Sequence, residues 1–122
     1  MRIRRIPLVI ALGVITAVAA VALVPELGGV ADGRRATAVK LGDNFFKPAR
    51  KVVRRGTVVR FFWAGRNPHN VTKARGPGRR FRSKTTSRRG VNFAKRFRKR
   101  GVYLLVCTIH PRTMRMKLGV RR

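Results

Sequence analysis

Gly101-Val102-Tyr103-Leu104-Leu105-Val106-Cys107-Thr108-Ile109-His110-Pro111-Arg112-Thr113-Met114 is the stretch on which the reading of the fold turns. Its first half, Val102–Cys107, is a near-continuous apolar run of strand length, as expected for a strand buried on both faces. Its second half delivers a thiol, an imidazole and a thioether within eight residues. Just downstream, Met114, Met116, Leu118 and Val120 alternate with Arg115, Lys117 and Gly119, the period-two signature of a closing strand. The pattern predicts two strands joined by a donor-rich loop.

Upstream the chain keeps the same character of short runs and turns. Val91, Phe93 and Phe97 alternate with basic residues before Gly101 opens the next element. Residues 73–90 are basic and rich in Gly, Ser and Thr, with Arg75-Gly76-Pro77-Gly78-Arg79-Arg80 as a breaker, so they read as loop with one weak strand near Phe81–Thr86. Val58–Trp63 is rich in β-branched and aromatic residues and makes a convincing strand. Between it and Val52-Val53, the stretch Arg54-Arg55-Gly56-Thr57 reads as a hairpin-like reversal with Gly56 at positive φ. Pro48 marks an edge or a bend after Phe45-Phe46, and Ala36–Leu41 is the expected first strand. No segment after residue 31 holds a helical period and none repeats another. The expected fold is all-β, an antiparallel sandwich.

Residues 1–31 read differently. Arg2, Arg4 and Arg5 precede an apolar run from Ile6 to Val24, with small residues suited to cleavage at Ala17-Val18-Ala19, Ala20-Val21-Ala22 and Gly29-Val30-Ala31. The run approaches the roughly 20 residues that span a bilayer. Signal peptide and uncleaved N-terminal anchor helix both stay open, and either puts residues 32–122 outside the cytoplasm, as a secreted, periplasmic or membrane-tethered domain. Formal net charge is +28, from 31 Lys+Arg against 3 Asp+Glu. Almost all of it belongs to residues 32–122, where Asp32 and Asp43 are the only acids. Such a field speaks for anionic partners, not for a fold.

The chain has two histidines, His69 and His110, and one cysteine, Cys107, so no internal disulfide can form. His69 lies in Asn67-Pro68-His69-Asn70-Val71, just after the strand 58–63, at a place where a sandwich could bring it to the Cys107 loop. Two imidazoles, one thiolate and a weak axial thioether are the donor set of a trigonal type 1 copper site. Thiolate suits both copper oxidation states, and a weak thioether favours Cu(I) and raises the potential. Structural zinc normally takes four strong ligands, and neither acid is expected near the motif. Buried core cysteine, turn histidine and filler methionine are each ordinary alternatives; together they would require all three rare donors to fall into this order by chance.

The segment from Gly101 to Pro111 resembles the copper loop of plastocyanins and amicyanins, with its G-x-Y-x-x-x-C-x-x-H pattern. Phe46-Lys47-Pro48-Ala49, then Val53, Gly56, Thr57 and Val59, resembles the family's earlier F-x-P…V-x-x-G-x-x-V stretch, and Pro68-His69-Asn70 its first-ligand motif. The resemblance runs over residues 36–120. It implies a Greek-key cupredoxin β-sandwich, one type 1 copper ion held by His69, Cys107 and His110, and Asn70 as an asparagine that pins the ligand loops. It implies Met114 as axial ligand. Met116 is the alternative, because the family's glycine two residues after the ligand methionine is Met116 here.

That resemblance implies a blue copper protein carrying single electrons outside the cytoplasm, with Ile109 and Pro111 bordering His110 where an acidic redox partner docks. The alternative function is a copper-binding module for delivery or sequestration. A monomer and no enzymatic activity are expected: no histidine remains for a second copper centre, and no Ser/His/Asp or paired-carboxylate set can be assembled. An anionic membrane surface is a further candidate partner. Specific nucleic-acid binding is not expected, because no recognised module or stacking platform is present.

Overall fold

A computed structural model describes residues 35–122. The targeting segment expected over residues 1–31, with its helix, and the joint up to Arg34 lie outside the described residues. Among the described residues no helix is long and apolar enough to cross a membrane.

Eight strands follow in chain order: β1 (Ala36–Gly42), β2 (Phe45–Lys47), β3 (Arg50–Arg54), β4 (Thr57–Trp63), β5 (Thr72–Arg75), β6 (Gly90–Phe97), β7 (Gly101–Val106) and β8 (Arg115–Arg121). They form two four-stranded sheets, ordered β2-β1-β4-β6 and β3-β8-β7-β5. Alternate residues of each sheet meet in one core: Val39, Leu41, Val59, Phe61, Trp63 and Phe97 from the first, and Val53, Tyr103, Leu105, Met116, Leu118 and Val120 from the second. The period-two patterns of β4 and β8 thus become the two inner faces of a β-sandwich.

The strand directions correct the antiparallel expectation. Both sheets are mixed, since β1 runs parallel to β4 and β3 parallel to β8. The reversal at Arg54–Thr57 is correspondingly no hairpin: it carries the chain from one sheet to the other. Gly56 does take a positive φ of 89°. Alternation reports which face is buried and is silent about direction, so the sequence could not distinguish these pairings.

Three further readings are corrected. β5 falls where a loop was expected, pairing with β7, because buried Lys73 takes an inward position that a hydrophobic pattern leaves unmarked. Phe81–Thr86 supplies only the isolated bridges Thr72↔Arg82 and His69↔Thr86. β7 is buried on its inner face at Tyr103 and Leu105 but on its outer face only at Val106, with Val102 63% exposed, since no described residue covers the outer side of the sheet at that end. Phe45–Lys47 is the edge strand that Pro48 suggested.

The topology gives the sandwich two distinct poles. At one, β7 ends at Val106, paired with Arg115 of β8 and Thr72 of β5. At the other, Arg54 pairs with Arg121, Gly101 with Val120, Thr57 with Phe97 and Ala36 with Val58.

Candidate metal centre

The first pole gathers the rare donors. Cys107 is the first residue past β7, and its amide donates to the Met114 carbonyl at 3.1 Å, one step beyond the last β7–β8 pair. Inside that closure the His110 amide donates to the Cys107 carbonyl at 3.1 Å, and the Met114 amide to the His110 carbonyl at 2.9 Å. The loop therefore folds back on itself and turns His110 toward the sulfur. His69 arrives from the segment after β4, fixed by reciprocal backbone bonds with Thr86 and by the Trp63 indole, which donates to the His69 carbonyl at 3.1 Å.

The side chains converge. Cys107 Sγ lies 4.0 Å from Nδ1 of His69 and 4.0 Å from Nδ1 of His110. One donor atom from each of the three lies within 4.8 Å of the others. Metal bonds of about 2.0–2.1 Å to nitrogen and about 2.3 Å to sulfur, the lengths known for zinc, together slightly exceed a 4.0 Å gap, so one ion can reach the sulfur and either ring together. His69, Cys107 and Met114 are fully buried and His110 is half-buried. The two rings are 5.6 Å apart between centroids. This pocket of two imidazoles, a cysteine sulfur and a buried thioether, in which only His110 is partly exposed, fits one type 1 copper ion.

The two methionines differ in setting. Met114 belongs to the loop and is tied to both Cys107 and His110 through the backbone. Met116 sits in the β8 ladder opposite Leu105, where the alternation of β8 sends it into the core.

Asn70 uses its full hydrogen-bonding capacity in a buried position. Its Nδ2 donates to Thr108 Oγ1 at 2.8 Å and Thr85 Oγ1 at 3.0 Å; its Oδ1 accepts from the Thr108 amide at 3.1 Å and from Thr72 Oγ1 at 2.8 Å. One side chain thus joins the His69 segment to the Cys107 loop, and no buried side-chain polar atom among the described residues is left without a partner.

Asp43 overturns the expectation that no acid lies near the motif. Its Oδ1 is 3.3 Å from His69 Nε2, the ring nitrogen facing away from the sulfur. The carboxylate accepts the backbone amides of Asn67 and Arg66 at 2.9–3.0 Å. Those bonds, Asn67 first, hold its pKa below the ordinary carboxylate value, with His69 adding to the effect. Gly65 makes room, since a Cβ there would run into the carboxylate. Asp43 backs the ring without joining the donors, an arrangement that fixes tautomer and orientation in metal-bound histidines. It comes from the β1–β2 turn, 26 residues before His69, and no spacing rule connects the two.

No family model matches the sequence, and no curated protein does. Solved structures do. A copper-containing nitrite reductase from Thermus scotoductus SA-01 superposes with a TM-score of 0.64 at 21% identity over 71% of this chain, which spans only 22% of that protein's length. An amicyanin variant in its oxidised form gives 0.63 at 26% identity, covering 75% of this chain and 86% of the other. A purple cupredoxin from Nitrosopumilus maritimus gives 0.58 at 22% identity, covering 69% and 98%.

Proposed function

We propose that this chain, a cupredoxin by fold and by donor set, is a mononuclear blue copper protein that carries single electrons between redox partners. The observation that carries the reading is the 4.0 Å approach of Cys107 Sγ to both histidine rings, with Met114 buried on the same loop. In this reading His69, Cys107 and His110 would be the strong ligands, Met114 would add a weak thioether donor, and Asn70 is the pin between their loops. Bound there, copper would supply a one-electron Cu(II)/Cu(I) couple.

The protein's part is to hold donors still and keep water out. His69 is immobilised from behind by Asp43, at its carbonyl by Trp63 and along its backbone by Thr86. Cys107 is enclosed between two strand ends. A site so constrained changes little on gaining an electron, which favours transfer over delivery; a carrier that hands over its ion needs a looser cage. His110 is the half-buried member, flanked by Ile109, 46% exposed, and exposed Pro111. This small apolar rim is the contact patch for a partner protein, and the surrounding arginines would steer an acidic one. We place the domain at residues 32–122, exported by the segment 1–31, monomeric and non-enzymatic, with an anionic membrane surface as its second kind of partner.

Adding Cu(II) to the purified full chain is expected to give an intense visible absorption from thiolate-to-copper charge transfer, absent in Cys107→Ser. Copper binding without that colour, as readily exchanged Cu(I), would replace electron carriage by delivery or sequestration. Retention of the colour in Cys107→Ser would refute the site.

A further inference from the structure

The pole opposite Cys107 is as distinctive as the copper pole. The β3–β4 turn, the β6–β7 turn, the end of β8 and the start of β1 meet there. The Arg55 amide donates to the Arg121 carbonyl at 2.6 Å, the Gly56 amide to Phe97 at 2.7 Å and the Val58 amide to Arg35 at 2.8 Å. These bonds bring Arg35, Arg54, Arg55, Arg100, Arg121 and Arg122 to one end of the sandwich, all exposed, around open concavities of about 690 and 410 Å³. Asp43, the sole acid among the described residues, is at the other pole, bonded beside His69. Among the described residues no carboxylate side chain lines the concavities with Arg54, Arg55, Arg100, Arg121 and Arg122, and these five guanidinium groups on three chain segments form a multivalent anion surface. Guanidinium matches phosphate oxygens with paired donors.

The position of the N-terminus says which anion. The first strand begins at Ala36, next to Arg35 in this cluster, and ten residues separate Arg35 from the end of the apolar run Ile6–Val24. At full stretch ten residues cover roughly 33–36 Å, and as a flexible coil about 16–19 Å. An apolar segment inserted in a bilayer would therefore hold this pole close to the headgroups, and a polybasic surface beside a membrane segment is drawn to anionic lipid. Among the described residues no aromatic side chain lines the concavities, so they offer no stacking platform for nucleic acid.

We propose that the arginine pole docks on the phosphate headgroups of an anionic membrane and orients the domain with His110 facing away from the bilayer, toward its partner. The proposal rests on the apolar run 6–24 staying uncleaved as an anchor, and the docking itself requires no metal at the other pole, whereas the partner at His110 comes from the electron-carrier reading.

Hydrogen exchange on the full chain in lipid nanodiscs tests it without reference to copper. Incorporation into purely zwitterionic discs tests the segment; exchange tests the pole. With anionic phospholipid present, amides of residues 55–57, 98–101 and 120–122 are expected to exchange several-fold more slowly than in zwitterionic discs, while residues 108–113 do not change. High salt should abolish the difference in the unaltered protein, as should joint Arg54→Ser, Arg55→Ser, Arg100→Ser and Arg122→Ser substitution. Equal exchange in both lipids would overturn the proposal. So would protection of residues 108–113, or protection by an added single-stranded oligonucleotide where anionic lipid gives none.

Discussion

Asp43 is the residue that most changes the picture of the site. A carboxylate 3.3 Å from Nε2 favours a proton on that nitrogen, which leaves Nδ1, on the sulfur side, as the donor and makes the ring a stronger ligand. Asp43→Asn retains the shape and removes the charge. It is expected to weaken copper binding about 10–100-fold, the usual effect of removing such a partner, as read by competition with a chelator of known affinity. Gly65→Ala should weaken binding in the same direction, because the new methyl displaces the carboxylate; unchanged affinity in both variants would show that the contact is incidental. The donors themselves were legible in the sequence, since His69, Cys107 and His110 are the only residues of their kinds and sit in a recognisable order. Asp43 was not, because its role depends on a turn brought up by the β1–β4 pairing. Asn70 was legible by position, although nothing in a linear reading names Thr72, Thr85 and Thr108 as its partners.

At the scale of elements, what could be read followed from the chemistry of each strand. β8 is the clearest, with Met116, Leu118 and Val120 inward and Arg115, Lys117 and Arg121 outward. Leu118→Ala should therefore cost about 2–5 kcal/mol, as a cavity in a packed core does. Lys117→Ala should stay within about 0.5 kcal/mol. Urea unfolding of both variants checks the register, and similar losses would contradict it. β5 was hidden because its inward residue is a lysine. Lys73 Nζ donates to the carbonyls of Gly76, Pro77 and Gly78 at 2.6–3.1 Å, capping its own turn from within. Desolvation, then Lys95, Lys99 and Arg80, holds its pKa below the ordinary lysine value. Lys73→Met should destabilise the protein by about 1–3 kcal/mol, the range for acceptors that lose a charged donor. The loss should appear as faster proteolysis within residues 75–80 before global unfolding.

For the molecule as a whole, charge and topology divide the labour. The sandwich was legible from the spacing of its strands, whereas the parallel pairs were not, because direction is decided by which sheet each crossing strand joins. The basic field is a long-range property and should show itself in kinetics. Electron transfer to an acidic partner is expected to slow steeply as salt rises from low to physiological ionic strength, where the screening length is about 8–10 Å. Stopped-flow measurement across that range checks this, and a rate insensitive to salt would remove steering from the account.

The backbone bond from Cys107 to Met114 has an evolutionary consequence. Residues 108–113 hang outside the β7–β8 ladder, which is complete without them. Lengthening or shortening such a loop costs little closure entropy, about 0.6 kcal/mol even for a doubling. Thr108 is bound to buried Asn70 and His110 to the loop backbone, so the exchangeable part is the exposed stretch 111–113: it behaves as a cassette on a finished chassis, whose composition can change the rim of the centre at little cost to folding.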